Sequence, residues 1–128
     1  MSVTVPEGYT VAWLLRSMNI IRSVTLNENT YNDVVCSIDY RLRVMNQYKR
    51  GVALDGVIEI ILDPSTTPET FTAFSSLTKE QGTAWFEAAL GESAKNQLLT
   101  RAINILQNPD YEYRAQSPWF VQDPMPGN

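Results

Sequence analysis

Between Val34 and Val44 apolar and polar side chains change places at nearly every step. Val34, Cys36, Ile38, Tyr40, Leu42 and Val44 fall on one side; Ser37, Asp39, Arg41 and Arg43 fall on the other. A period of two is the signature of a β-strand buried on one face only. The sheet that holds it therefore has one dry face and one wet face, as antiparallel sheets commonly do.

The neighbouring stretches extend this reading. Val57 to Leu62 repeats the alternation, with Ile58, Ile60 and Leu62 against Val57, Glu59 and Ile61. The Asn46–Gly51 stretch, NQYKRG, is read as a hairpin loop in which Gly51 is free to take positive φ. Asp55-Gly56 reads as a second turn or a bulge in the returning strand. Upstream, Thr10 to Leu26 is strand-like but less regular. Ala12, Leu14, Met18, Ile20, Val24 and Leu26 share a side with Arg16 and Arg22. A bulge or break near Ser17–Asn19 is expected, since one inserted residue exchanges the faces. The stretch from Asn27 to Asp33 reads as the turn into the second strand.

Asp63-Pro64 and Pro68 close the sheet section, because proline removes a ladder donor and biases its predecessor away from helix. Phe71 and Phe74 follow in an irregular segment. Thr78-Lys-Glu-Gln81 has the capping-box pattern, which predicts a helix from about 79 to 90 with Ala84, Trp85, Ala88 and Ala89 as its apolar face. Gly91 is a candidate C-cap. A second helix is predicted from about Glu92 to Gln107, with Leu98, Leu99, Ala102, Ile103 and Leu106 as its stripe. Asn108-Pro109 stops it. Strands followed by helices predict an α+β fold: an antiparallel sheet of about three to four strands, two helices on one face, and an extended arm. Residues 1–110 form the single domain in this reading and 111–128 the arm.

The chemistry is limited. The chain has no histidine, so the commonest general base and metal ligand at neutral pH is missing. Cys36, the sole cysteine, falls on the apolar side of its strand and reads as an inert core thiol. Ser76-Leu-Thr-Lys79 matches the S-x-x-K string of serine acyl enzymes, but it straddles a helix start and has no companion motif. The carboxylates are scattered, with no calcium-loop spacing, and no glycine-rich phosphate loop occurs. No catalytic residue, metal ligand or cofactor is assigned. A net charge of −4 weighs against general nucleic-acid binding. The apolar stretches fall far short of the ~20 residues that span a bilayer. With no basic and apolar leader pattern at Met1–Thr10, a cytosolic product, or one assembled in the cytosol, is expected.

Arg41 and Arg43 share the wet face. With Tyr31 or Tyr48 nearby they read as solvated side chains or, functionally, as a contact for a protein partner.

From Thr30 onward the chain resembles a family of small proteins encoded by tailed bacteriophages, especially those of aquatic bacteria. Three pieces carry the likeness. They are the strand NDVVCSIDYRLRV, the segment TFTAFSSLTKEQGTAWFEAALGE, and the late Pro118-Trp119. The middle piece is similar to the family's pattern of Phe, two or three residues, Leu-Thr, then Gln, Trp and a helix ending near Leu-Gly. The long first segment with its arginines and the residues after Trp119 depart from that pattern. The resemblance implies a virion or virion-assembly component and no enzymatic activity.

The carboxyl-terminal stretch fits that setting. Tyr111, Tyr113, Pro118, Trp119, Phe120, Val121 and Met125 place large apolar groups among prolines. Either Trp119 and Phe120 fold back on the chain's own sheet, or residues 111–128 form an arm that docks on a neighbouring subunit. A proline-rich arm loses less entropy on docking, and Trp and Tyr are frequent binding anchors. The expected function is that of a non-enzymatic structural protein of a tailed phage particle, assembled in the cytosol into the virion. It would contact other structural proteins and copies of itself, with no nucleic-acid or membrane partner. The alternative is a small cytosolic phage factor that binds and inhibits a host protein.

Overall fold

The computed structural model describes residues 3–119. Three strands form one antiparallel sheet in the order β1 (Thr10–Leu26), β2 (Asn29–Met45), β3 (Gly51–Glu59). A short 3₁₀ turn at Phe74–Ser76 precedes α1 (Lys79–Leu90) and α2 (Glu92–Gln107). The fold is α+β, with two helices after the sheet.

The first hairpin is tighter than the sequence suggests. β1 and β2 are joined by Asn27 and Glu28 alone, both at positive φ (52° and 68°), as a two-residue turn of the primed kind requires. The stretch 29–33, read as turn, is strand. In β3, Asp55 and Gly56 continue the ladder opposite Arg41 and Tyr40, with neither turn nor bulge.

Two bulges set the faces. Between Leu15↔Tyr40 and Ser17↔Asp39 the extra residue is Arg16, in β1. Between Asn19↔Ser37 and Ile20↔Val35 it is Cys36, in β2. The expected irregularity near Ser17–Asn19 is therefore a pair that brackets it. Each insertion reverses which alternate residues point inward. Before Arg16 the inward residues of β1 are Val11, Trp13 and Leu15, not Ala12 and Leu14; after it comes Met18. On β2, Val35 joins Ile38 and Tyr40 in the core. Cys36 is only partly buried, and its thiol donates to the Asn19 carbonyl at 3.4 Å, which corrects the core-thiol reading.

Each helix covers one part of the dry face. On α1 the buried residues are Gly82 and Phe86, and Phe86 packs on Val35, Ile38 and Tyr40. Its ring lies 5.1 Å from Tyr40 and 5.8 Å from Trp13, centroid to centroid, in tilted geometry. On α2, Ala102 and Ile103 pack on Leu42 and Val44, as the apolar stripe predicts. Trp13 and Leu98 touch both clusters and join them. The face assigned to α1 is wrong by part of a turn: Ala84, Ala88 and Ala89 are exposed and Trp85 is half-buried. Alanine is common on both sides of a helix, whereas Phe86 has a large area to bury.

The caps follow the local rules. The Gln81 amide donates to Thr78 Oγ1 (3.2 Å), and the Thr78 amide donates to Gln81 Oε1 (3.0 Å). Gly91, at φ 85°, ends α1 and begins α2, a backbone conformation that L side chains rarely adopt.

The connection from Ile60 to Thr78 is tied back to the far end of the hairpin. Asn27 Nδ2 donates to the Pro64 carbonyl (2.9 Å) and the Tyr31 hydroxyl to the Thr66 carbonyl (3.2 Å). The Tyr31 ring sits 4.8 Å from Phe71 and is 3% exposed. Tyr31 is thus an anchor for this connection and no companion of Arg41 and Arg43.

Candidate functional site

Three surfaces of the described residues present groups beyond what the fold consumes. The first is the start of the carboxyl-terminal arm. After α2, the Asn108 carboxamide accepts from the Asp110 amide (3.2 Å) and the Asn108 carbonyl from the Tyr111 amide (2.9 Å), which turns the chain. Arg101 then clips the arm to α2. Its Nε donates to Glu112 Oε2 (2.5 Å) and its Nη2 to Glu112 Oε1 (2.9 Å). This fork-to-fork pairing is the strongest geometry an Arg–carboxylate contact has. The guanidinium hydrogen bonds hold the Glu112 carboxyl below the usual carboxylate range and raise Arg101 in turn.

Tyr111, just before the clip, is 49% exposed beside α2. Past the clip the large groups face outward: Tyr113 is 86% and Trp119 82% exposed, and Pro118 is exposed as well. Trp119 therefore does not cap the sheet. Phe120, Val121 and Met125 lie outside the described residues.

The second surface is the wet face of the sheet. Arg41 is half-buried and does not project freely. Its Nε and Nη2 donate to the two carboxylate oxygens of Asp55 on β3 (2.6 and 3.1 Å), and Arg16 Nη1 lies 3.6 Å from the same carboxylate. The Arg41 hydrogen bond is the main reason that Asp55 is held below its ordinary range. Arg43 stands in the next row between Ala12 and Ala53 and is exposed. Asp39, one row to the other side of Arg41, accepts from the Ser17 hydroxyl (2.9 Å). Leu14 and Val57, 38% and 61% exposed, add apolar area to the same face. Tyr48, in the hairpin loop, is exposed.

The third surface is a groove of about 600 Å³ between α1 and the segment that follows β3. Val34, Val35, Ile60, Phe71, Trp85 and Ala88 are among its walls, and Glu59 and Asp63 also line it. The Ser65 amide and hydroxyl both donate to Asp63 Oδ1 (2.8 Å each) and hold its carboxyl below the usual range. This groove was not foreseen from the sequence, which counts Ala88 and Ala89 as core. The clip was missed as well, since no local rule pairs residues on the two sides of a proline-terminated helix.

No group of three or more potential metal-ligating side chains comes together among the described residues, and no described helix is long and apolar enough to cross a membrane. The three surfaces differ in character: exposed aromatic groups at the start of the arm, a sheet face with mixed charge, and a largely apolar groove.

No curated protein and no solved structure matches the chain. A family model does, over residues 10–119, from the first residue of β1 to the arm tryptophan. The chain belongs to the family described as a domain of unknown function, DUF7936.

Proposed function

We propose that this protein is a non-enzymatic structural component of a tailed phage particle, at the capsid surface, neck or tail. It is assembled in the host cytoplasm and works through contacts with other structural proteins and with copies of itself. The observation that carries the contact reading is the arm. Its root is clipped to α2 by Arg101 and Glu112, while Tyr113 and Trp119 stand 86% and 82% exposed beyond the clip. Aromatic groups held out in this way resemble binding anchors, and a proline-rich segment gives up little further entropy when it seats. The phage setting rests on the likeness of NDVVCSIDYRLRV, TFTAFSSLTKEQGTAWFEAALGE and Pro118-Trp119 to small phage proteins. Repetition on one particle would make weak single contacts add up.

The test is the chain's copy number in purified particles, read by quantitative mass spectrometry. Many copies per particle are expected. Absence from particles, with the chain found on a host protein instead, overturns the reading in favour of a cytosolic inhibitor. Deleting residues 117–128 should leave a soluble, folded domain that no longer joins particles. A truncated chain that precipitates or melts far lower would place the arm in the core.

A further inference from the structure

The wet face of the sheet carries a charge pattern that is its own complement. Along β2 the outward residues are Arg43, Arg41 and Asp39 in successive rows. The row of Arg43 holds Ala12 and Ala53; the row of Arg41 holds Leu14 and Asp55; the row of Asp39 holds Ser17 and Val57. The middle cation is already met within the sheet, because Arg41 is bonded to both oxygens of Asp55 and Arg16 shares that carboxylate. That leaves a cationic row on one side of the middle and an anionic row on the other.

We infer that this face pairs with the same face of a second copy, about a two-fold axis that runs across the strands at the row of Leu14, Arg41 and Asp55. Such an axis reverses strand direction and keeps strand order. Arg43 then stands opposite Asp39 of the second copy, twice. The 61%-exposed Val57 stands over Ala53 of the other copy, a large group over a small one. Leu14, Arg41 and Asp55 lie on the axis and meet their own symmetry mates; because Arg41 and Asp55 stand side by side, each cation there also lies next to the other copy's carboxylate. Glu59, one row further out, lies over Gly51 and meets no like charge. An axis along β2 would instead set Arg43, Arg41 and Asp39 each on its own like, with no opposite-charge pair along that strand, so the pattern selects the first arrangement. Self-complementarity of this kind is what an isologous dimer requires.

The contact is weak on its own. The nine paired residues of β2 and β3, at ~3.4 Å per residue and ~4.8 Å between strands, give on the order of 400 Å² per copy. That is about half of the ~800 Å² per partner of a standard interface, so association in the upper micromolar range is expected. The inference deepens the structural reading above and rests on it for the use of the dimer in an assembly. The pairing itself is tested on the isolated chain.

Sedimentation equilibrium of the full chain up to about 1 mM should show a reversible monomer–dimer equilibrium. Arg43→Glu and Asp39→Arg should each weaken it at least about tenfold, since each sets like charges opposite one another twice. Circular dichroism and thermal melts should show both variants folded, because both side chains lie on the face away from the helices. An equimolar mixture of the two variants should dimerise again, since both pairings of position 43 with position 39 are then opposite in sign. A chain monomeric throughout, single variants that dimerise as the parent does, or a mixture that stays monomeric overturns the pairing. Dimerisation indifferent to these substitutions but lost on deleting residues 117–128 also overturns it, and leaves the arm reading intact. Absence of the chain from particles sinks the structural reading without touching the dimer.

Discussion

Tyr40 lies across Gly56. The two are register partners on β2 and β3, and a Cβ at position 56 would stand 2.5 Å from the Tyr40 hydroxyl oxygen and 2.6 Å from Cζ. The missing side chain makes room for the ring to lean over β3 while it packs on Phe86 and Trp13. Gly56→Ala therefore has to push the ring out of a close-packed core. Overpacking of this sort costs about 1–3 kcal/mol. Urea denaturation should show a lower midpoint with an unchanged slope.

Phe86 is the centre of the α1 contact, 1% exposed among Val35, Ile38 and Tyr40. Phe86→Ala should cost about 3–5 kcal/mol. Ala88→Ser, on the exposed side of the same helix, should change stability by less than about 0.5 kcal/mol. The same denaturation curves decide between the two faces; equal effects would mean the helix is rotated from the orientation described.

The Asn27-Glu28 turn holds a glutamate at φ 68°. For an L residue that region costs roughly 1–2 kcal/mol, which glycine avoids at an entropic cost of about 0.4–1 kcal/mol. Glu28→Gly should therefore stabilise the protein by about 0.5–1 kcal/mol, seen as a higher melting temperature.

The Arg101–Glu112 clip is pH-dependent. Glu112 is held below its unfolded value by the guanidinium, so the clip's contribution is fully present above the ordinary glutamate range, roughly pH 4.3, and fades as pH falls through the lowered folded value. Arg101 stays charged throughout. Amide protection factors at residues 111–116, with the intrinsic pH dependence of exchange divided out, should fall in that acidic window, while those in β2 stay high. Glu112→Gln should show the lower protection already at neutral pH.

What was legible in the sequence follows the range of the forces. Thr78 with Gln81, and Gly91 between two helices, obey rules that span one helical turn, and both helices begin and end where those residues say. The alternation from Ile38 to Val44 names its face correctly because nothing interrupts it. Reading fails where a distant partner decides. Whether Arg16 and Cys36 are inserted or paired depends on what lies across the ladder, so the inward side of β1 came out as Leu14 instead of Trp13. Ala88 and Ala89 look like core until Phe86 is seen to fill it. Tyr31, expected near the arginines, is claimed by Phe71 and Thr66. At the candidate site, the arm's aromatic content was readable from composition, but the clip at its root and the capture of Arg41 by Asp55 were not.

The two single-residue insertions in the long hairpin offset one another: Thr10↔Met45 and Leu26↔Asn29 share one alignment, although the stretch between them is out of step. Removing Arg16 alone would leave a closed two-residue loop at one end and a mismatched ribbon at the other. This ribbon can therefore shorten or lengthen only when both of its arms change together, and relatives whose first arm is a residue shorter should carry a matching deletion near Cys36.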